Sequence, residues 1–212
     1  MTIRRIFIAT FALTSIGSAQ QPTAPAGPLF TWREAMIPVR DGAHLQTVIL
    51  TPTNQKGPLP ILFTRTPYGV PPGDGVAKLV NMPASLKELM QDGYILVFQN
   101  LRGRFKSEGT FRIFAPPRDL SNPKATDETT DAYDSIDWLV KNVANNNGKV
   151  GMYGVSYDGL TTGMTLLGPH PALKAISEQA SPTDQWMNDD EHRYGALRES
   201  YAFEYAVLEE AD

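Results

Sequence analysis

The chain has 212 residues, with 19 Lys and Arg against 23 Asp and Glu, a formal charge of -4, and 42% apolar residues. That apolar share suffices for a packed core and argues against a disordered chain. The acidic balance argues against binding a nucleic-acid backbone, which calls for a basic stripe. With no cysteine, a disulfide scaffold, thiolate metal sites and cysteine nucleophiles are excluded.

Arg4 and Arg5 precede an apolar run from Ile6 to Ile16, and Gly17-Ser18-Ala19 supplies the small residues a signal peptidase reads. Residues 1–19 therefore read as a secretory signal peptide, which places the mature protein in a secreted or periplasmic location. The apolar run, about 11 residues, is too short for a bilayer, which needs about 20, and no other segment suits a membrane span. Residues 20–28 read as a disordered leader, and residues 29–212 as part of one domain.

Two β-rich runs, 35–39 and 45–50, flank Arg40-Asp41-Gly42 and predict a hairpin. Residues 60–64 predict a short buried strand that ends at Arg65-Thr66-Pro67-Tyr68-Gly69. A short helix over 83–91 is followed by Gly93 and by a strand over 94–98, whose unbroken apolar run implies cover on both faces. Residues 102–124 are polar and turn-rich. Over 126–144, Ala132, Ile136, Leu139, Val140 and Val143 fall on one helical face. A third buried strand over 149–153, a helix over 161–167 and a strand over 173–177 complete the pattern. Strands alternating with helices after an initial hairpin predict an α/β layered sheet.

Between the third strand and its helix lies Gly154-Val155-Ser156-Tyr157-Asp158-Gly159. A Gly-x-Ser-x-Gly run is a weak pattern alone, but a strand before it and a helix after it are the context of a nucleophile elbow. Such a turn presents Ser156 above the carboxyl edge of the sheet, where open α/β folds bind ligands. The Tyr157 amide then lies at a helix N-terminus and is available to an oxyanion; the plainer alternative is a strand-to-helix turn with an idle serine. A second oxyanion donor is expected from the loop after an earlier strand, where Tyr68 stands. Tyr68 reads equally as a rim aromatic of a Pro-Tyr-Gly turn.

Arg65-Thr66-Pro67-Tyr68, Gln99-Asn100-Leu101-Arg102-Gly103-Arg104 with Ser107-Glu108-Gly109, and the elbow itself occur in one order and spacing. Together they resemble the cocaine esterase/X-Pro dipeptidyl-peptidase group of serine hydrolases, and within it the α-amino-acid ester hydrolases, or β-lactam antibiotic acylases. Pro169-His170-Pro171-Ala172-Leu173-Lys174 and Trp186-Met187-Asn188-Asp189-Asp190 continue the similarity. The resemblance implies an α/β-hydrolase fold with Ser156 as nucleophile, and the Tyr157 amide and Tyr68 hydroxyl as oxyanion donors. It implies that Asp190 belongs to a carboxylate cluster holding the free α-ammonium of a small ester or amide substrate. No cofactor, metal, nucleic acid or membrane is expected as a partner; self-association is a further implication of the resemblance. Asn100 stands where the family commonly has Asp, and Glu191-His192 replaces a more aromatic stretch. Taken without the resemblance, Asp189-Asp190-Glu191 reads as an acidic cluster at a helix N-terminus.

In hydrolases of this type the order is nucleophile, acid, histidine. Only His170 and His192 follow Ser156, and both read as structural or rim residues rather than as the base. The triad Asp and His are accordingly expected beyond residue 212, and the chain is expected to be the N-terminal part of a longer enzyme, with 194–211 beginning a cap helix. Three other readings stay open: an X-Pro dipeptidyl-peptidase, a catalytically incompetent binding fragment, and a phosphate-binding turn at the elbow. The last lacks a nearby Lys or a Gly-x-Gly-x-x-Gly run.

Overall fold

A computed structural model of the chain describes residues 30–73, 89, 92–184 and 186–210. The expected signal peptide, the leader and, apart from Leu89, the expected 83–91 helix lie outside the described residues.

Six strands form one sheet: β1 (Phe30–Pro38), β2 (His44–Pro52), β3 (Leu59–Thr66), β4 (Ile95–Asn100), β5 (Asn146–Val155) and β6 (Leu173–Gln179). Their spatial order is β1-β2-β4-β3-β5-β6. The Asp-Gly hairpin forms as expected, with β1 and β2 antiparallel from Phe30↔Pro52 to Pro38↔His44. Its turn is closed by Gly42 N–H donating to the Val39 carbonyl (2.8 Å) and Val39 N–H to that of Ala43 (2.9 Å). β2 also runs antiparallel to β4, whereas β3, β4, β5 and β6 are mutually parallel where they pair. The result is the mainly parallel α/β sheet expected from the alternation of elements.

Each central strand feeds two cores by alternation. Ile61 and Phe63 of β3, Ile95 and Val97 of β4, and Val150 and Met152 of β5 face one side. They pack there with Ile136, Leu139 and Val143 from α1 (Glu128–Asn142) and the turn that follows it. Leu62 and Leu96 face the other side with Phe30, Val48 and Leu50. This two-sided cover explains the unbroken apolar run of β4. α1 starts at a capping box: the Asp127 carboxylate accepts from Thr130 N–H (2.8 Å), and the Thr130 hydroxyl accepts from Asp127 N–H (2.9 Å).

The helix expected over 161–167 starts earlier. α2 runs Tyr157–Met164, immediately after Ser156, and only a 3-10 turn covers 165–167. A small antiparallel pair, β7 (His192–Arg193) and β8 (Ala196–Leu197), precedes α3 (Glu199–Glu210). Because α3 begins at Glu199, the reading of Asp189-Asp190-Glu191 as a helix N-terminal cluster is corrected: these residues lie in bends before β7. No helix among the described residues is long and apolar enough to cross a membrane.

Candidate active site

The strand-to-helix turn after β5 is built by close backbone approach. A Cβ at Gly154 would stand 2.0 Å from the Asp158 carbonyl oxygen, and one at Gly159 would stand 2.6 Å from that of Gln179 on β6. Only glycine fits at either place, so the chain reverses tightly enough to set Ser156 at φ 61, ψ -124. For a residue with a side chain, that backbone costs about 1–3 kcal/mol and persists only where the surroundings enforce it. Ser156 is pinned by its N–H donating to the Gln179 carbonyl (2.9 Å) and by Leu160 N–H donating to its own carbonyl (3.0 Å). Its hydroxyl makes no capping bond to α2, and the residue is exposed. The Tyr157 amide belongs to the first turn of α2, where N–H groups have no intrahelical acceptor.

The Tyr157 side chain turns inward. Its hydroxyl accepts from Phe114 N–H (2.9 Å), and the Phe114 ring stacks on it with centroids 5.1 Å apart. Burial pushes this phenol well above the ordinary tyrosine range, so it stays protonated. Beside it, burial pushes the Asp158 carboxyl up to about 7, with the Thr66 hydroxyl opposing the rise and the Glu209 carboxylate adding to it. One Asp158 oxygen, Oδ1, is buried without a hydrogen-bond partner.

Tyr68 follows β3, two strands' width from the hairpin and next to β5 in the sheet. Its N–H donates to the Thr66 hydroxyl (3.2 Å), and its own hydroxyl lies 2.8 Å from that of Tyr205 on α3. Burial raises its pKa, and the charges of Glu209 and Asp158 contribute to the rise. The end of β3 that leads to Tyr68 touches α2 directly, the Thr161 hydroxyl donating to the Arg65 carbonyl (3.1 Å). The structure therefore brings Tyr68 and the Ser156-Tyr157-Asp158 turn into one neighbourhood. Asp190 is placed otherwise. It is exposed, its N–H donates to the Asp189 carboxylate (2.8 Å), and its carbonyl accepts from Arg198 (3.0 Å). Burial raises the pKa of Tyr201 on α3, and the Asp190 carboxylate adds to the rise.

A buried ionic network holds the loops behind the site. Arg65, wholly buried on β3, donates from Nε to Gln99 Oε1 (2.8 Å) and from Nη1 to Glu128 Oε2 (2.7 Å), with Asp131 at 3.8 Å. Arg102 bridges Asp131 (2.7 Å) and Asp41 (2.7 Å), tying the hairpin turn, the loop after β4 and the start of α1 together. Burial pushes the Glu128 carboxyl upward, opposed by the Arg65 guanidinium. Asn100 donates to Gln46 Oε1 (2.7 Å) in the same buried layer, with its own Oδ1 unpartnered.

None of the three histidines stands on Ser156. His44 Nδ1 lies 2.9 Å from Glu108 Oε2. His170 lies 3.5 Å from Asp137, edge-on to the Tyr133 ring, and accepts from Ala172 N–H (3.0 Å). The His192 ring packs at 5.3 Å from Trp186. Among the described residues there is no group of three or more His, Asp or Glu placed to hold a metal ion. Sequence reasoning missed Tyr205, Arg104 and Asp158 as parts of the site. The available signal was the spacing Tyr201, Tyr205, Glu209, which puts three polar ends along one stripe of a helix.

The family model described as X-Pro dipeptidyl-peptidase (S15 family) matches residues 41–211. Cocaine esterase of Rhodococcus sp. (strain MB1 Bresler) is 34% identical over 149 residues, covering 70% of this chain and 23% of that protein. An α-amino acid ester hydrolase structure is 40% identical with a TM-score of 0.77, covering 94% of this chain and 33% of that one. An aminopeptidase from the marine sediment archaeon Thaumarchaeota archaeon is 38% identical with a TM-score of 0.79, again covering 94% and 33%. The chain thus spans from 23% to 33% of the length of these relatives. The fold is of the α/β-hydrolase type that these structures share.

Proposed function

Because the chain belongs to the X-Pro dipeptidyl-peptidase (S15) family, we propose that it carries the nucleophile and oxyanion site of a serine hydrolase. Its proposed substrates are esters or amides of small acyl groups, α-amino acyl groups foremost. One observation carries this reading: an exposed serine held at φ 61 between the carboxyl end of a strand and a helix N-terminus. In the proposed reaction the Ser156 oxygen adds to the substrate carbonyl carbon. The bond to the leaving alcohol or amine then breaks, and water cleaves the resulting acyl-serine. Tyr157 N–H and the Tyr68 hydroxyl donate to the oxyanion, each such donor being worth about 3–4 kcal/mol of barrier.

The exposed Asp190 carboxylate is assigned the substrate's α-ammonium, for which a charge pair at the rim gives selection over N-acylated substrates. Since His44, His170 and His192 are engaged elsewhere, the proposal takes the general base and its orienting acid from sequence outside these 212 residues. Likeness to an aminopeptidase favours a second reading, cleavage of peptide amides in the manner of an X-Pro dipeptidyl-peptidase.

The test uses the whole gene product. Ser156→Ala is expected to lower turnover of phenylglycine methyl ester by about 1000-fold or more, and undiminished turnover refutes the nucleophile. Comparing that ester with Ala-Pro-anilide separates the two substrate readings. Rapid stoichiometric labelling of Ser156 by a fluorophosphonate in the 212-residue chain alone would refute the assignment of the base to outside sequence.

A further inference from the structure

Tyr205 lies on the face of α3 that packs against the domain, with Ala202, Ala206 and Glu209. Its ring stacks on Phe114 with centroids 6.0 Å apart and planes 22° apart, and Phe114 stacks in turn on Tyr157. A run of three aromatic rings therefore connects the residue after the nucleophile to α3 and ends where the Tyr205 hydroxyl meets that of Tyr68, at 2.8 Å. Arg104 fixes the same two elements from the other side. Its Nε donates to the Pro67 carbonyl (3.0 Å), one residue before Tyr68, and its Nη1 donates to the Glu209 carbonyl. Its Nη2 lies 3.4 Å from the Glu209 carboxylate. The Tyr68 loop and α3 are thus held in register by one guanidinium, and the two hydroxyls are not free to drift apart.

A phenol hydroxyl has one hydrogen and two acceptor positions. If Tyr68 gives its hydrogen to Tyr205, it has none for an oxyanion. If Tyr205 gives its hydrogen to Tyr68, the Tyr68 hydrogen is free and the accepted bond polarises it, since successive hydrogen bonds strengthen one another. We propose that Tyr205 is a positioning residue of the oxyanion site, donating its hydroxyl hydrogen to the Tyr68 oxygen so that the Tyr68 hydrogen is aimed at the substrate oxyanion. This rests on the reading of Tyr68 as an oxyanion donor given above. Burial raises both phenols above the ordinary tyrosine range, so both keep their hydrogens at neutral pH.

The experiment compares Tyr205→Phe, Tyr68→Phe and the double variant of the whole gene product, with phenylglycine methyl ester as substrate. Tyr205→Phe keeps the ring on Phe114 and loses only the hydroxyl. It is expected to lower kcat about 10-fold with KM within about twofold, the size of one modest hydrogen bond. Tyr68→Phe is expected to lower kcat about 100-fold or more, and adding Tyr205→Phe to it should change kcat by less than about twofold. Inhibition by phenylboronic acid, whose adduct with a serine is a tetrahedral anion, should weaken by the same factor as kcat in Tyr205→Phe. An equal loss in both backgrounds, or a kcat and boronate affinity unchanged by Tyr205→Phe, overturns the positioning role alone. Unchanged kcat in Tyr68→Phe, or a parent protein that cleaves neither the ester nor Ala-Pro-anilide, overturns the reading beneath it.

Discussion

Asp158 gives the sharpest thermodynamic test of the elbow. It occupies the first turn of α2, where the helix N-terminus favours a negative charge by about 0.3–1 kcal/mol. Burial opposes that charge and wins. The carboxyl is pushed from an ordinary 3.8 up to about 7, with the Thr66 hydroxyl working against the rise and the Glu209 carboxylate with it. At about 1.4 kcal/mol per tenfold change, that rise amounts to about 4 kcal/mol, and partial solvent access reduces it to about 2–4 kcal/mol. The folded-state value is raised, so the stabilising contribution belongs to the protonated form. It is fully present below about pH 4, is lost progressively as pH rises toward 7, and stays lost above that. Asp158→Asn mimics the protonated acid at every pH. The variant should therefore match the parent near pH 4 and exceed it by about 2–4 kcal/mol near pH 8. Urea unfolding of the whole gene product at the two pH values measures the difference. A stability difference that stays constant from pH 4 to 8, or one in which the parent is the more stable at pH 8, refutes the assignment of a buried, reluctantly ionised carboxyl two residues after Ser156.

Gly154→Ala places a methyl carbon 2.0 Å from the Asp158 carbonyl and 2.7 Å from Gly159 N, both rigid backbone. A loss above about 4 kcal/mol is expected, and a thermal midpoint within a degree of the parent would contradict the close approach. Glu128→Gln removes a carboxylate from the wholly buried Arg65 while Asp131 remains 3.8 Å away. The expected cost is about 3 kcal/mol, at the low end for a broken buried pair; chemical denaturation checks it, and a neutral result would mean Asp131 alone satisfies the guanidinium. For the N-terminus, N-terminal sequencing of protein recovered from the periplasm or medium should begin near Gln20, directly after Ala19. An intact Met1 with the protein confined to the cytoplasm refutes the export signal.

Local chemistry made much of this fold legible. Asp41-Gly42 between two β-rich runs could only close a hairpin, and the apolar stretch ending at Phe98 required cover on both faces, which α1 and the second core supply. The elbow was legible because its glycines sit where backbone meets backbone. What stayed hidden were pairings between distant positions. Nothing in the run of residues says that β4 inserts between β2 and β3, since strand order depends on crossovers. Arg65 and Gln99 looked like motif letters, yet their role is to bury a guanidinium against Glu128, reached only after the sheet and α1 have packed. The spacing Tyr201, Tyr205, Glu209 marked a polar stripe, but the partner of Tyr205 was hidden for the same reason, because Tyr68 lies 137 positions earlier.

That separation also sets an order of assembly. The sheet contacts around the elbow join segments that leave the ribosome before α3 does, whereas the Tyr68–Tyr205 and Arg104–Glu209 contacts span 137 and 105 positions. Long-range contacts form late, after the entropy of closing their loops has been met. A growing chain therefore completes the turn that carries Ser156 before Tyr68 can meet Tyr205 and before Arg104 can meet Glu209.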